Sequence, residues 1–134
     1  MKTSKADTWF SRFIRLRDAQ ESNGVLFAKC VTCPKVKEVK HMDCGHYVKR
    51  QHKATRYSEL NCHIQCKRCN AFEQGRDEKF AQAIDKRYGK GTAYKLKLES
   101  KKYVKLDESI IETYYKELIN NILEQRGWQK LKWW

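Results

Sequence analysis

The sequence predicts an α+β fold: a small zinc-stapled β-hairpin-plus-helix core, flanked by an N-terminal helix and by C-terminal helices. Three observations carry that prediction. Apolar residues recur at spacings of three and four near both ends of the chain, the segments between are short and alternating, and the six cysteines include two CxxC pairs. A length of 134 residues suits one domain. Within it, 1–24 reads as a helix, 25–76 as the stapled core and 77–134 as a helical extension. A core segment of that size buries too little apolar surface to hold itself together without a staple.

The elements follow in order. Trp9, Phe10, Phe13, Ile14 and Arg17 give a helix from about Thr8 to Gln20, with Asp7 as N-cap and Asn23-Gly24 as its end. Val25 to Asp43 fits a zinc knuckle followed by a short strand. Cys44 to Val48 reads as extended, Lys49 to Leu60 as a polar basic loop, and Asn61 to Gln65 as a second strand. The pattern turns helical from Cys66 and stops at Gly75. Asp77 to Tyr88 is amphipathic on Phe80, Ile84 and Tyr88 and ends at Gly89; Thr92 to Ser100 is a weaker helix. Asp107 caps the last helix, Leu106 can staple onto Ile111, and Ile110, Ile111, Tyr114, Leu118, Ile119 and Ile122 form its stripe.

The 29 Lys and Arg against 16 Asp and Glu leave a net charge of +13, which implies a polyanionic partner, DNA above all, or simply a very basic surface. No apolar run reaches the length of a membrane span, so no membrane is expected. The opening MKTSKADTWF lacks the apolar stretch of a signal peptide, so an intracellular location is expected. In a reducing compartment cysteines are metal ligands more often than disulfides.

Cys30-Val-Thr-Cys33 and Cys66-Lys-Arg-Cys69 are separated by 32 residues. Thiolates two residues apart in a tight turn grip one tetrahedral zinc, and two such turns complete its shell, so a structural four-cysteine zinc is predicted. A thioredoxin-type redox site would need one CxxC after a strand in a βαβ unit, and that context is absent. Cys44 and Cys62 remain. With His46 and His63 they could form a second zinc site; as small buried residues on two facing strands they need no metal, and that plainer reading is preferred.

Between the knuckles lie DCGHYVKR (Asp43 to Arg50) and NCHIQCKRCN (Asn61 to Asn70). This arrangement resembles the HNH, or ββα-metal, nucleases, with His46, Asn61 and Asn70 in the three signature places. Asn61 stands five residues before Cys66 and Asn70 directly after Cys69. The run FIRLRD, then CVTC, DCGHY, RYSELNCHIQCKRCN and Gly75, is more closely similar to the NinG (Rap) proteins of lambda-type phages, over roughly Phe10 to Glu99. That resemblance implies a recombination-associated, structure-specific DNA endonuclease in a phage-infected bacterial cytoplasm, acting on branched intermediates such as Holliday junctions or D-loops. The rivals are a zinc DNA-binding module without catalysis and an HNH nicking endonuclease on linear duplex DNA.

The resemblance gives the residues roles. His46 is the general base, since a neutral imidazole suits proton removal from water at neutral pH. Asn70 binds a catalytic Mg²⁺ or Mn²⁺, and Asn61 holds the loop after the first strand. HNH enzymes often place a carboxylate immediately before the base; Gly45 stands there instead, leaving Asp43 as metal ligand or structural residue. In a regular strand Asp43 would face away from His46 unless a bulge at Gly45 turned it back. His63 touches phosphate or metal, or else bonds a backbone carbonyl. Lys49, Arg50, Lys53 and Arg56 form a basic loop suited to a scissile phosphate, with Arg56–Glu59 as the structural alternative, and Lys67 and Arg68 reach backbone phosphates. The tail GWQKLKWW either stacks bases or packs its indoles against the body or a second subunit. Matched cuts across a four-way junction favour a homodimer, built on the last helix.

Overall fold

A computed structural model describes residues 1–72 and 76–134 and gives a mixed α+β chain with two small antiparallel sheets. Helix α1 spans Lys5–Arg17. It starts three residues before the expected Thr8, because Ser4 is the N-cap and Asp7 is the third helical residue of a capping box. The Asp7 amide donates to Ser4 Oγ at 3.0 Å, and the Ser4 amide donates to Asp7 Oδ2 at 2.9 Å.

Asn23-Gly24 does not end this helix, which closes at Asp18. It turns a hairpin between β1 (Gln20–Ser22) and β2 (Val25–Lys29), whose register pairs Ser22 with Val25. Both turn residues have positive φ, 51° and 80°, the backbone that a two-residue turn needs to match strand twist. The first knuckle then lies between two strands rather than before one, since β3 (Val36–Glu38) returns antiparallel to β2.

The second sheet is the hairpin of β4 (Met42–His46) and β5 (Cys62–Cys66). Its ladder runs unbroken from Met42 opposite Cys66 to His46 opposite Cys62, so there is no bulge at Gly45. The loop joining the strands holds a short helix, α2 (Lys53–Arg56), where irregular chain was expected. A π-helical turn, Arg68–Phe72, follows β5; the expected stop at Gly75 lies outside the described residues. Helix α3 occupies Asp77–Tyr88 and closes at Gly89, and α4 covers Thr92–Glu99.

Helix α5 spans Glu108–Arg126, and the Asp107 side chain accepts from the Ile110 amide at its start. Of the expected stripe, Ile111, Leu118, Ile119 and Ile122 pack on the core, and Tyr115 takes the place of Tyr114. Tyr115 and Ile119 are buried, whereas Ile110 and Tyr114 face out. The stripe packs on α1 within the same chain, with Phe10 and Phe13 against Tyr115 at ring-centroid distances of 4.9 and 5.0 Å. The tail folds back as well: Trp128 and Trp133 are buried in this core, and only Trp134 remains exposed. A smaller core of Phe80, Ile84, Ala93 and Leu96 backs Tyr47 and Val48 on the far side of the β4–β5 hairpin. Among the described residues no helix is long and apolar enough to cross a membrane.

Candidate functional site

The two knuckles meet. The sulfurs of Cys30, Cys33, Cys66 and Cys69 all lie within 4.8 Å of one another. A zinc ion with Zn–S bonds of about 2.3 Å places its tetrahedral sulfurs about 3.8 Å apart. Cys33 Sγ and Cys66 Sγ are 3.8 Å apart. The surroundings favour a thiolate at Cys30, whereas burial raises the Cys33 and Cys69 thiols. Burial raises the Cys30 thiol, but the Cys66 amide, donating to its Sγ at 3.3 Å, and the Thr32 side chain outweigh that and hold it down at about 7. The donor set can therefore hold a zinc ion, and the cluster ties β2–β3 to the hairpin of the second sheet.

Beside the cluster a groove of about 910 Å³ runs between α1 and β4. His46, Asp43 and Asn70 border it, together with Lys49, Arg50 and Lys67. The His46 Nε2–H donates to the Arg56 carbonyl at 3.0 Å, which leaves Nδ1 with the lone pair. Burial pushes the His46 pKa below its ordinary value, so the imidazole is neutral at neutral pH.

Asp43 borders the groove without a bulge. The chain leaving β5 curls over that end of the hairpin and brings two side chains to its carboxylate. Lys67 Nζ reaches Asp43 Oδ1 at 2.7 Å, and Asn70 Nδ2 donates to Asp43 Oδ2 at 3.0 Å. Gly45, where HNH enzymes often carry a carboxylate, faces the other side of the hairpin. A Cβ there would overlap the buried Gln65 amide and press on the Phe80 ring at 3.2 Å, so the position has no room for a side chain.

Asn61 is fully buried and fastens the loop, accepting from the Val48 amide at 2.8 Å and donating to the Val48 carbonyl at 2.9 Å and the Thr55 carbonyl at 3.2 Å. His63 is placed away from the groove, on the Gly45 face, with its ring 6.0 Å from Phe80. It takes the backbone option. Arg17 donates to its Nδ1 at 3.0 Å and its Nε2–H donates to the Leu60 carbonyl at 3.0 Å. Burial, then the Arg17 charge, hold its pKa down at about 4.

Arg56 is corrected. Its guanidinium is buried and grips Asp7 through Nε at 3.0 Å and through Nη2, so it does not line the groove. The structural partner is Asp7 rather than Glu59, whose carboxylate accepts from Tyr115 Oη at 2.9 Å. Lys53 lies beside a separate apolar groove with Tyr57 and Tyr114, and Arg68 is exposed outside the main groove. The sequence reading missed Thr8, Ser11 and Arg15, which line the groove from α1. Their spacing of three and four marks the helix face opposite its apolar stripe, and that signal was readable.

Four clustered cysteines that could hold a zinc ion, next to a cation-lined groove, characterise this small mixed α+β chain. The family described as bacteriophage lambda NinG protein matches residues 3–126, and the chain belongs to that family. Membership makes it a phage protein related to recombination, in line with the resemblance carried by its motifs. No curated protein and no solved structure matches it.

Proposed function

We propose that the protein is a divalent-metal-dependent DNA endonuclease of the HNH type, acting on branched recombination intermediates. One observation carries the reading: a neutral, backbone-anchored His46 opens onto the same cation-lined groove as Asp43 and Asn70. The β4–β5 hairpin leading into the helical turn Arg68–Phe72 is compatible with this reading.

His46 takes the proton of the attacking water at Nδ1, while the Arg56 carbonyl keeps the ring in the tautomer that can do so. Lys49, Arg50 and Lys67 hold the phosphodiester against the groove wall. Asp43 accepts from Asn70 Nδ2 and from Lys67, and once released from these donors its carboxylate, with the Asn70 amide oxygen, would offer the hard oxygen ligands that suit Mg²⁺ or Mn²⁺. A divalent ion held by Asp43 and Asn70 would supply stabilisation of the charge on the leaving 3′ oxygen. The branch preference rests on family membership alone, and a two-fold dimer would supply both cuts at a junction.

The test uses labelled four-way junction, flap and linear duplex DNAs with Mg²⁺, Mn²⁺ or EDTA. Metal-dependent cutting of the branched substrates is expected. Binding without cleavage in every metal would leave a zinc DNA-binding module, and equal cutting of linear duplex would make the protein a nicking enzyme.

A further inference from the structure

We propose that Cys44, His46 and Cys62 form a second, soft-metal site through which a thiophilic cation such as Zn²⁺ switches off the groove by taking the His46 imidazole. The inhibitory half of this proposal rests on His46 being the base; the site itself does not.

The strand register builds the cluster. Cys44 and His46 are two residues apart on β4 and share a face, and Cys62 lies directly opposite His46 on β5. One ligand atom from each falls within 4.8 Å of the other two. The four-cysteine centre uses Cys66, at the other end of the same ladder, so the two sites do not share a ligand. Cys62 is fully buried, while Cys44 and His46 border the groove, which gives a cation a way in.

The chemistry of the donors selects the ion. Two thiolates and an imidazole favour Zn²⁺, Cd²⁺ or Cu⁺ and disfavour Mg²⁺ and Mn²⁺, which want oxygen. Each thiol releases one proton to solvent as it ligates, and two thiolates neutralise a divalent cation, so no net charge is left in the hairpin. The cost falls on His46. A ring nitrogen that donates its lone pair to a metal cannot accept a proton from water, and one drawn off the Arg56 carbonyl loses its orientation. Asp43 and Asn70 keep their oxygen set for the hard ion. The site would therefore read soft-metal level independently of the ion that supports cleavage.

The test starts from protein carrying one zinc per chain, equilibrates it with excess Zn²⁺ or Cd²⁺, removes the unbound metal and counts what remains by native mass spectrometry. Wild type should gain a second metal, and Cys44→Ser should stay at one while keeping the first. In unaltered protein the second equivalent should also shield Cys44 from alkylation by iodoacetamide, a readout that needs no variant to fold. A wild-type count fixed at one, or unchanged Cys44 alkylation, would overturn the site. With junction DNA and Mg²⁺, excess Zn²⁺ should slow wild-type cleavage by on the order of 10²-fold and spare Cys44→Ser. Equal inhibition of both would refute the switch even if the metal count stood. Absence of cleavage in any metal would fall on the nuclease reading instead, with the count still deciding the site.

Discussion

Arg56 holds Asp7 in a buried, two-pronged ion pair that ties the loop between β4 and β5 to the first turn of α1. The same residue's carbonyl accepts from His46 Nε2. One side chain anchors the loop to the helix, and its backbone then fixes the orientation of the imidazole.

Breaking that pair should appear as lost stability. Removing one partner of a buried ion pair costs about 3–5 kcal/mol. The Arg56→Ala value should lie near the lower end, because Arg50 Nη1 also approaches Asp7 Oδ2, at 3.5 Å. The Asp7 carboxyl is held down at about 2, burial working against the Arg56 and Ser4 hydrogen bonds that lower it. Its contribution is therefore complete above about pH 4 and disappears as the pH falls toward 2. Urea denaturation of Arg56→Ala checks the magnitude. Unchanged stability with weakened DNA binding would return Arg56 to the phosphate.

The thiolate centre should bind one zinc per chain at one equivalent of metal. Substituting Ser at Cys30, Cys33, Cys66 or Cys69 should lower zinc affinity and stability together, because ligation and folding are one equilibrium in so small a core. Cys66 has the most to lose, since it also closes the β4–β5 ladder opposite Met42. Zinc content by elemental analysis, with thermal unfolding before and after chelation, measures both. A chain that keeps its melting temperature in strong chelator would show that the centre is not a staple.

His63 supplies a pH dependence. Its folded pKa is about 4, with burial as the main cause, against about 6.5 in an unfolded chain. Between those values the unfolded chain takes up a proton that the folded chain refuses. Stability present above about pH 6.5 is therefore lost as the pH falls toward 4, by about 2–3 kcal/mol. An NMR titration should find the His63 ring neutral at pH 5, and His63→Asn should flatten the stability curve in that window. A midpoint near 6.5 would mean the ring is not held by Arg17 and Leu60 as described.

The local features were legible in the sequence and the long-range ones were not. Cys30 with Cys33 and Cys66 with Cys69 announce themselves because ligand spacing is a property of a single turn. The span of α3 followed from the Phe80, Ile84 and Tyr88 spacing and from Gly89, all within one helix. Arg56 with Asp7 joins residues far apart in the chain, and no local pattern distinguishes that pair from Arg56 with Glu59. Asn23-Gly24 was misread because the helical pattern before it was carried too far; the same dipeptide between Gln20–Ser22 and Val25–Lys29 is a hairpin turn. In α5 the spacing finds Ile111, Leu118, Ile119 and Ile122, but Tyr114 and Tyr115 are the same residue type, and only packing on Phe10 and Phe13 picks the second. For Asp43, strand alternation argued away from the groove, and the curl of the chain after Cys66 overrode it.

The sharpest prediction concerns His46. His46→Ala should abolish cleavage by roughly 10²–10⁴-fold while leaving zinc content, fold and DNA affinity nearly intact, because only a proton acceptor is removed. Its ring sits 6.4 Å from Phe10 and is half-buried, so the truncation empties a small volume rather than a core position. Asn70→Ala should also lose activity, but through weaker ion binding, so raising Mn²⁺ should restore part of it. Asp43→Ala tests the partner of both Asn70 and Lys67. Loss of an ion ligand would copy Asn70→Ala and respond to Mn²⁺, whereas a purely structural carboxylate would show as instability that no metal repairs. The measurement is single-turnover cleavage of junction DNA across a Mg²⁺ and Mn²⁺ series, with zinc content and melting temperature recorded for each variant. If His46→Ala cuts at the wild-type rate, the imidazole is not the base, the nuclease assignment falls, and a zinc-stapled DNA-binding module becomes the better account of the groove.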